Sequence, residues 1–209
     1  MVKKILLGLI VAVVVLVIVV AMQPDEYRIE RSATMDAPVA AVFEQVNDLH
    51  KWNAWSPWAK LDPNAKNTFE GAESGEGAIF KWAGNDEVGE GKMTIVESKP
   101  HELVNIQLDF IKPFESTGNS EFAFKPEGDK TTVTWAMYGK HSFIEKGVCM
   151  FMNMDKMLGG NFETGLASLK KVVETEPQEK ISEEPTTEEK SVTTEPTATE
   201  EVTTDAESK

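Results

Sequence analysis

The sequence predicts an α+β protein: a curved antiparallel sheet wrapped on a long C-terminal helix, preceded by one transmembrane helix. Three observations predict it. Residues 5–22 run without a charge or a side-chain hydrogen-bonding group; residues 67–138 alternate apolar and polar positions with period two; and residues 151–174 carry an apolar stripe at helical spacing.

The first eighteen-residue run, in "MVKKILLGLIVAVVVLVIVVAM", makes a helix of about 27 Å, close to the ~30 Å hydrocarbon core of a bilayer. Lys3 and Lys4 precede it and Asp25 and Glu26 follow it. The positive-inside rule then places residues 1–4 in the cytoplasm, residues 5–22 across the membrane, and everything beyond on the extracytoplasmic side. A cleaved signal peptide is the competing reading, because Val19-x-Ala21 forms an acceptable cleavage site. The apolar run exceeds the 7–15 residues usual for a signal core, which favours a retained anchor.

"YRIERSATM" then reads as a first strand. In "DAPVAAVFEQVNDLHKW", Asp36 is the expected N-cap, Pro38 lies in the first turn, and Val39, Val42, Phe43, Val46 and Leu49 fall at helical spacing. "LHKWNAWSPWAKLDPN" follows, with three of the five tryptophans at Trp52, Trp55 and Trp58 and turns at Ser56-Pro57 and Asp62-Pro63. At least two of these indoles are expected to plug one end of the sheet, with the third on the rim of a site.

From residue 67 the strands are separated by "GAESGEG", "AGNDEVGEG", "SKPHE", "IKPFE" and "KPEGDK". One face is apolar throughout: Ala78, Phe80 and Trp82; Met93 and Ile95; Val104, Ile106, Leu108 and Phe110; Phe122 and Phe124; Val133, Trp135 and Met137. Such alternation means an antiparallel sheet with one wet face and one face to be covered. The expected cover is the stripe Phe151, Met154, Met157, Leu158, Phe162, Leu166, Leu169, Val172 and Val173. Asp155, Lys156, Glu163 and Lys170 lie opposite. Gly159, Gly160 and Gly165 interrupt that helix at a cost of about 1 kcal/mol each, so close approach to the sheet, or space beneath the helix, is expected there. Met150, Met152, Met154 and Met157 crowd its entry, a flexible surface suited to varied apolar partners or to ordinary packing.

Residues 176–209 have no aromatic residue and eleven acids against three lysines, a net of −8 within a chain of −14. This tail cannot bury enough apolar surface to order itself and is expected to be disordered. The acidic balance excludes nucleic acid as a partner, which requires clustered Lys and Arg. The single Cys149 forms no internal disulfide and reads as a buried thiol. His50, His101 and His141 read as surface residues in or beside turns. No zinc-ligand spacing, GxSxG, phosphate loop or dinucleotide fingerprint is present, so neither cofactor nor metal is expected and no catalytic residue can be named.

"WSPW" followed by "DP", "GEGAIFKW", "VGEGKMTIVESKP" and "DKMLGGNFETGLASLK" resemble the START-like (helix-grip) superfamily of polyketide cyclase/dehydrase and lipid-transport proteins, in its membrane-anchored bacterial form. The resemblance covers residues 27–175, within an expected domain of residues 25–175. It implies a deep apolar cavity between the sheet and the last helix. The candidate lining is Trp55, Trp58, Phe80, Trp82, Met93, Ile106, Leu108, Phe122, Trp135, Met137, Met154, Leu158 and Phe162. The leading reading is a carrier of a hydrophobic small molecule or lipid; the alternatives are a cyclase or hydrolase acting in the same cavity and an envelope domain that binds another protein.

Overall fold

The computed structural model describes residues 2–140, 143–150 and 153–175. The expected disordered tail, His141, Phe151 and Met152 therefore lie outside the described residues. Helix α1 (Val2–Ala21) is the apolar run, long and apolar enough to cross a membrane, with every side chain exposed except Val20. Strand β1 (Glu26–Met35) follows, then α2 (Val39–Asn47), a 3-10 turn (Leu49–Ala54) and the short α3 (Trp58–Leu61).

Six strands complete a seven-stranded antiparallel sheet: β2 (Lys66–Gly71), β3 (Ala78–Ala83), β4 (Glu90–Lys99), β5 (Leu103–Lys112), β6 (Ser116–Glu127) and β7 (Lys130–Lys140). Neighbours pair in the order β1-β7-β6-β5-β4-β3-β2, so every connection but one is a hairpin, and β1 closes back onto β7. Helices α4 (Phe143–Cys149) and α5 (Met154–Thr175) follow. The fold is the helix-grip arrangement that the alternation and the terminal stripe predict.

Helix α5 buries Phe162, Leu166, Leu169 and Val173 against the sheet, while Met157 is exposed. The expected stripe is thus too wide by that residue, which falls outside the arc that Met154, Leu158, Phe162 and Leu166 turn to the core. Two of the three helix glycines sit at close approaches. A Cβ at Gly165 would lie 2.7 Å from the Trp135 ring and one at Gly159 2.1 Å from the Arg31 guanidinium, whereas Gly160 faces open space. Asp36 does not cap α2, whose N-cap is Pro38 without a side-chain bond. Asp36 instead pairs with Lys130, and its backbone N–H donates to Glu174 Oε1 at 2.7 Å. It ties the end of α5 to the head of β7.

The register defines two ends. Glu26 pairs with Lys140, and β6 begins beside the end of β7 (Asn119 opposite Tyr138), so α1, the β3–β4 and β5–β6 loops and α4 share one end. Thr131, Met35 and the end of α5 lie at the other. Outside α1 and its linker, the exposed large apolar side chains among the described residues are Leu61, Val96, Ile111, Phe114, Phe143, Met150 and Met157. All but Val96, at the β4 irregularity, lie towards the anchor end.

Candidate functional site

The concave interior divides into a packed half and a looser half. In the packed half Trp135 stacks between Phe162 (centroids 4.4 Å apart, 18°) and Phe122 (4.8 Å, 27°), with Trp52, Trp55 and Trp58 meeting it edge-on. Each buried indole has its polar edge satisfied. Trp52 Nε1–H donates to the Val46 carbonyl at 2.9 Å, Trp55 Nε1–H to the Gln45 carbonyl at 3.2 Å, and Trp135 Nε1–H to Ser120 Oγ at 2.9 Å. Of the thirteen candidate lining residues, Trp55, Phe122, Trp135, Ile106 and Phe162 are fully or almost fully buried here.

Towards the anchor end the same face loosens. Trp58, Trp82, Leu108, Met154 and Leu158 are half-buried, as are Tyr27 and Phe110, while Phe80, Met93 and Met137 sit just inside them. Three glycines of this face underlie large side chains. Gly91 lies beneath Trp82, where a Cβ would come within 2.6 Å of the indole. A Cβ at Gly118 would lie 3.2 Å from both the Met137 methyl and the Tyr27 hydroxyl, and one at Gly139 3.1 Å from the Tyr27 ring. Trp82 is held by its Nε1–H donating to the Val88 carbonyl at 3.2 Å and meets Phe110 edge-on at 6.0 Å. The result is a wide apolar floor, from Tyr27 across to Trp82, partly roofed by the first turns of α5.

Arg31 holds that roof. It occupies the inward register opposite Trp135, yet its guanidinium reaches Asp155 through two bonds of 3.1 Å and Glu163 through one of 2.8 Å. Those bonds raise the guanidinium pKa, and Arg31 in turn lowers that of the Asp155 carboxyl. Sequence reasoning missed Arg31, Tyr27 and Phe110 as site residues. Alternation within β1 puts Tyr27, Ile29, Arg31 and Ala33 on one face, which was the available signal.

The chemistry of the interior is sparse. The buried polar residues among those described are Gln45, Ser56, Ser120, Thr131 and Lys146, with neither a carboxylate nor an imidazole in that set. Burial, then Glu145 and Cys149, raise the Tyr27 pKa, so the phenol stays neutral at the floor's edge. Cys149 is half-buried rather than buried, and desolvation together with Glu145 raises its pKa, which disfavours the thiolate. His50 is exposed, stacks on Phe69 at 4.0 Å and shares a 2.9 Å hydrogen bond with Asp48; His101 is an exposed turn residue with φ 64°. His50 thus has a carboxylate partner that the sequence did not reveal, at the exposed 3-10 turn. No group of three or more His, Cys, Asp or Glu suited to a metal occurs among the described residues. A separate open cleft of about 510 Å³, lined by Pro24, Asp25, Glu26 and Lys140, marks the junction with α1.

Residues 26–174 match the family model described as polyketide cyclase / dehydrase and lipid transport. The chain belongs to that family. Solved structures agree on the fold. A Thermobifida fusca protein superposes with a TM-score of 0.54 at 19% identity, covering 70% of this chain and 92% of its own. A Chromobacterium violaceum protein gives 0.51 at 13%, covering 73% and 99%. The di-domain ARO/CYC protein BexL of the BE-7585A biosynthetic pathway gives 0.53 at 14%, covering 76% of this chain and 53% of BexL. At such identities the likeness is one of fold alone. No curated protein matches the chain in sequence.

Proposed function

We propose that this family member binds a hydrophobic small molecule or lipid on the apolar floor between β3–β7 and the first turns of α5. In this reading residues 5–22 anchor residues 25–175 to the membrane, with residues 1–4 cytoplasmic and residues 176–209 a solvated acidic tail. The observation that carries it is the contrast within one face. The Trp135 half is packed ring on ring, while the anchor-side half is apolar, half-exposed and built over Gly91, Gly118 and Gly139. Apolar surface left partly wet at the mouth of a concave fold is where an apolar ligand gains most by replacing water. Binding is favoured over catalysis because the described interior holds no buried carboxylate or imidazole to serve as general acid or base. The candidate contacts accordingly narrow to Trp58, Trp82, Leu108, Met137, Met154 and Leu158, joined by Tyr27 and Phe110.

The test is to purify the full chain in detergent, extract and identify copurifying apolar molecules by mass spectrometry, and titrate a fluorescent fatty acid. Leu108→Trp, which fills the floor, is expected to weaken probe binding at least tenfold with little change in melting temperature. If neither the wild type nor any variant binds an apolar molecule, the carrier reading falls and a protein-interaction domain replaces it.

A further inference from the structure

The anchor-side end of the domain carries more apolar surface than one membrane helix explains. Phe114, in the β5–β6 loop, is 79% exposed, and Ile111 beside it and Phe143 of α4 are about half exposed. These side chains do not pack against the core. They share the end from which α1 departs, and only residues 22–25 separate the last turn of α1 from β1, a reach of at most about 14 Å. The junction is also tied down. Val20 packs on α4, where a Cβ at Gly147 would lie 4.0 Å from it, and Lys146, almost wholly buried, pairs with Asp25.

We propose that this end is a second membrane contact: Phe114, Ile111 and Phe143 immerse in the interfacial layer of the leaflet from which α1 emerges, and the apolar floor opens onto lipid. The inference rests on the reading of α1 as a membrane span. Its occupant is a lipid surface and not a protein, because a four-residue linker already holds the patch within one layer of headgroups. Charge complementarity plays little part. Lys112 is paired with Glu90 at 2.6 Å and Lys140 with Glu26 at 3.7 Å, so each of these rim cations has an acid beside it. Aromatic and aliphatic side chains beside a helix end suit apolar insertion into an interface.

Spin labels on the full chain test this, in a Cys149→Ser background and in phosphatidylcholine vesicles with and without phosphatidylglycerol. Labels go on Phe114→Cys, Asp129→Cys at the opposite end, and Val13→Cys in the anchor. Accessibility to oxygen relative to a water-soluble nickel chelate reads depth. The expected result is that the ratio at 114 lies between those at 13 and 129 and well above that at 129, equally in both lipids. If 13 is embedded while 114 matches 129, the second contact is wrong and the anchor stands. If 13 is itself accessible to nickel, both readings fall. Immersion of 114 only with phosphatidylglycerol overturns the apolar account in favour of electrostatic attraction.

Discussion

Two tryptophans three residues apart hold different positions, and the difference is testable residue by residue. Trp55 is 0% exposed, meets Trp52, Phe122 and Trp135, and satisfies its indole N–H on the Gln45 carbonyl. Removing it leaves a cavity walled by rings that cannot collapse, so Trp55→Ala is expected to cost about 3–5 kcal/mol. Trp58 is half-buried at the edge of the floor and touches Trp135 from one side. Trp58→Ala should therefore cost clearly less stability while changing fatty-acid affinity. Urea denaturation together with probe titration separates the two. If Trp55→Ala unfolds at the wild-type midpoint but loses the probe, the plug and rim assignments are reversed.

At the scale of elements, the sheet and its inner face were legible because a two-residue period survives any tertiary context. Leu103–Lys112 alternates Val104, Ile106, Leu108 and Phe110 inward, and pairing follows from the hairpin turns. The roof of the site was not legible. Arg31 meets Asp155 and Glu163 across 124 and 132 residues of sequence, and only the gap that Gly159 leaves for its guanidinium shows why a charge tolerates an inward register. Met157 was misplaced for a related reason: Met154, Met157 and Leu158 all fit helical spacing, and spacing alone does not set where the buried arc ends. The clamp predicts a pH dependence. Arg31 lowers the Asp155 pKa from its ordinary 3.8, so its contribution to stability is complete above 3.8 and is lost as pH falls through the depressed folded value. Arg31→Met should thus melt below wild type at neutral pH, with the gap shrinking as pH drops below 3.8. The effect should be modest, because both carboxylates are exposed and screened by salt. A gap that persists unchanged into strong acid would assign the role of Arg31 to packing of its stem instead.

For the whole molecule, the question is how a site at one end of a domain relates to the membrane. Helix α1 and the looser half of the grip lie at the same end, and α5 finishes at the other, beside Asp36. An anchored chain would therefore present its apolar floor to the bilayer and the end of α5 away from it, which suits exchange of an apolar ligand with little exposure to water. That arrangement requires the helix to stay attached. Cleavage after Ala21 would remove Val20, the one side chain of α1 that packs on the rest of the chain. Retention and orientation then become a single prediction, motivated by Lys3 and Lys4 before the span and Asp25 and Glu26 after it. Expressed with an N-terminal epitope tag in a bacterial host, the membrane-bound protein should keep residues 1–21 by intact mass. Protease added to spheroplasts should digest the domain while leaving the tag protected. A mass lacking the first 21 residues would make α1 a signal sequence and release the domain from the bilayer. A protected domain with a digested tag would invert the chain, and the apolar floor would then face the cytoplasmic leaflet.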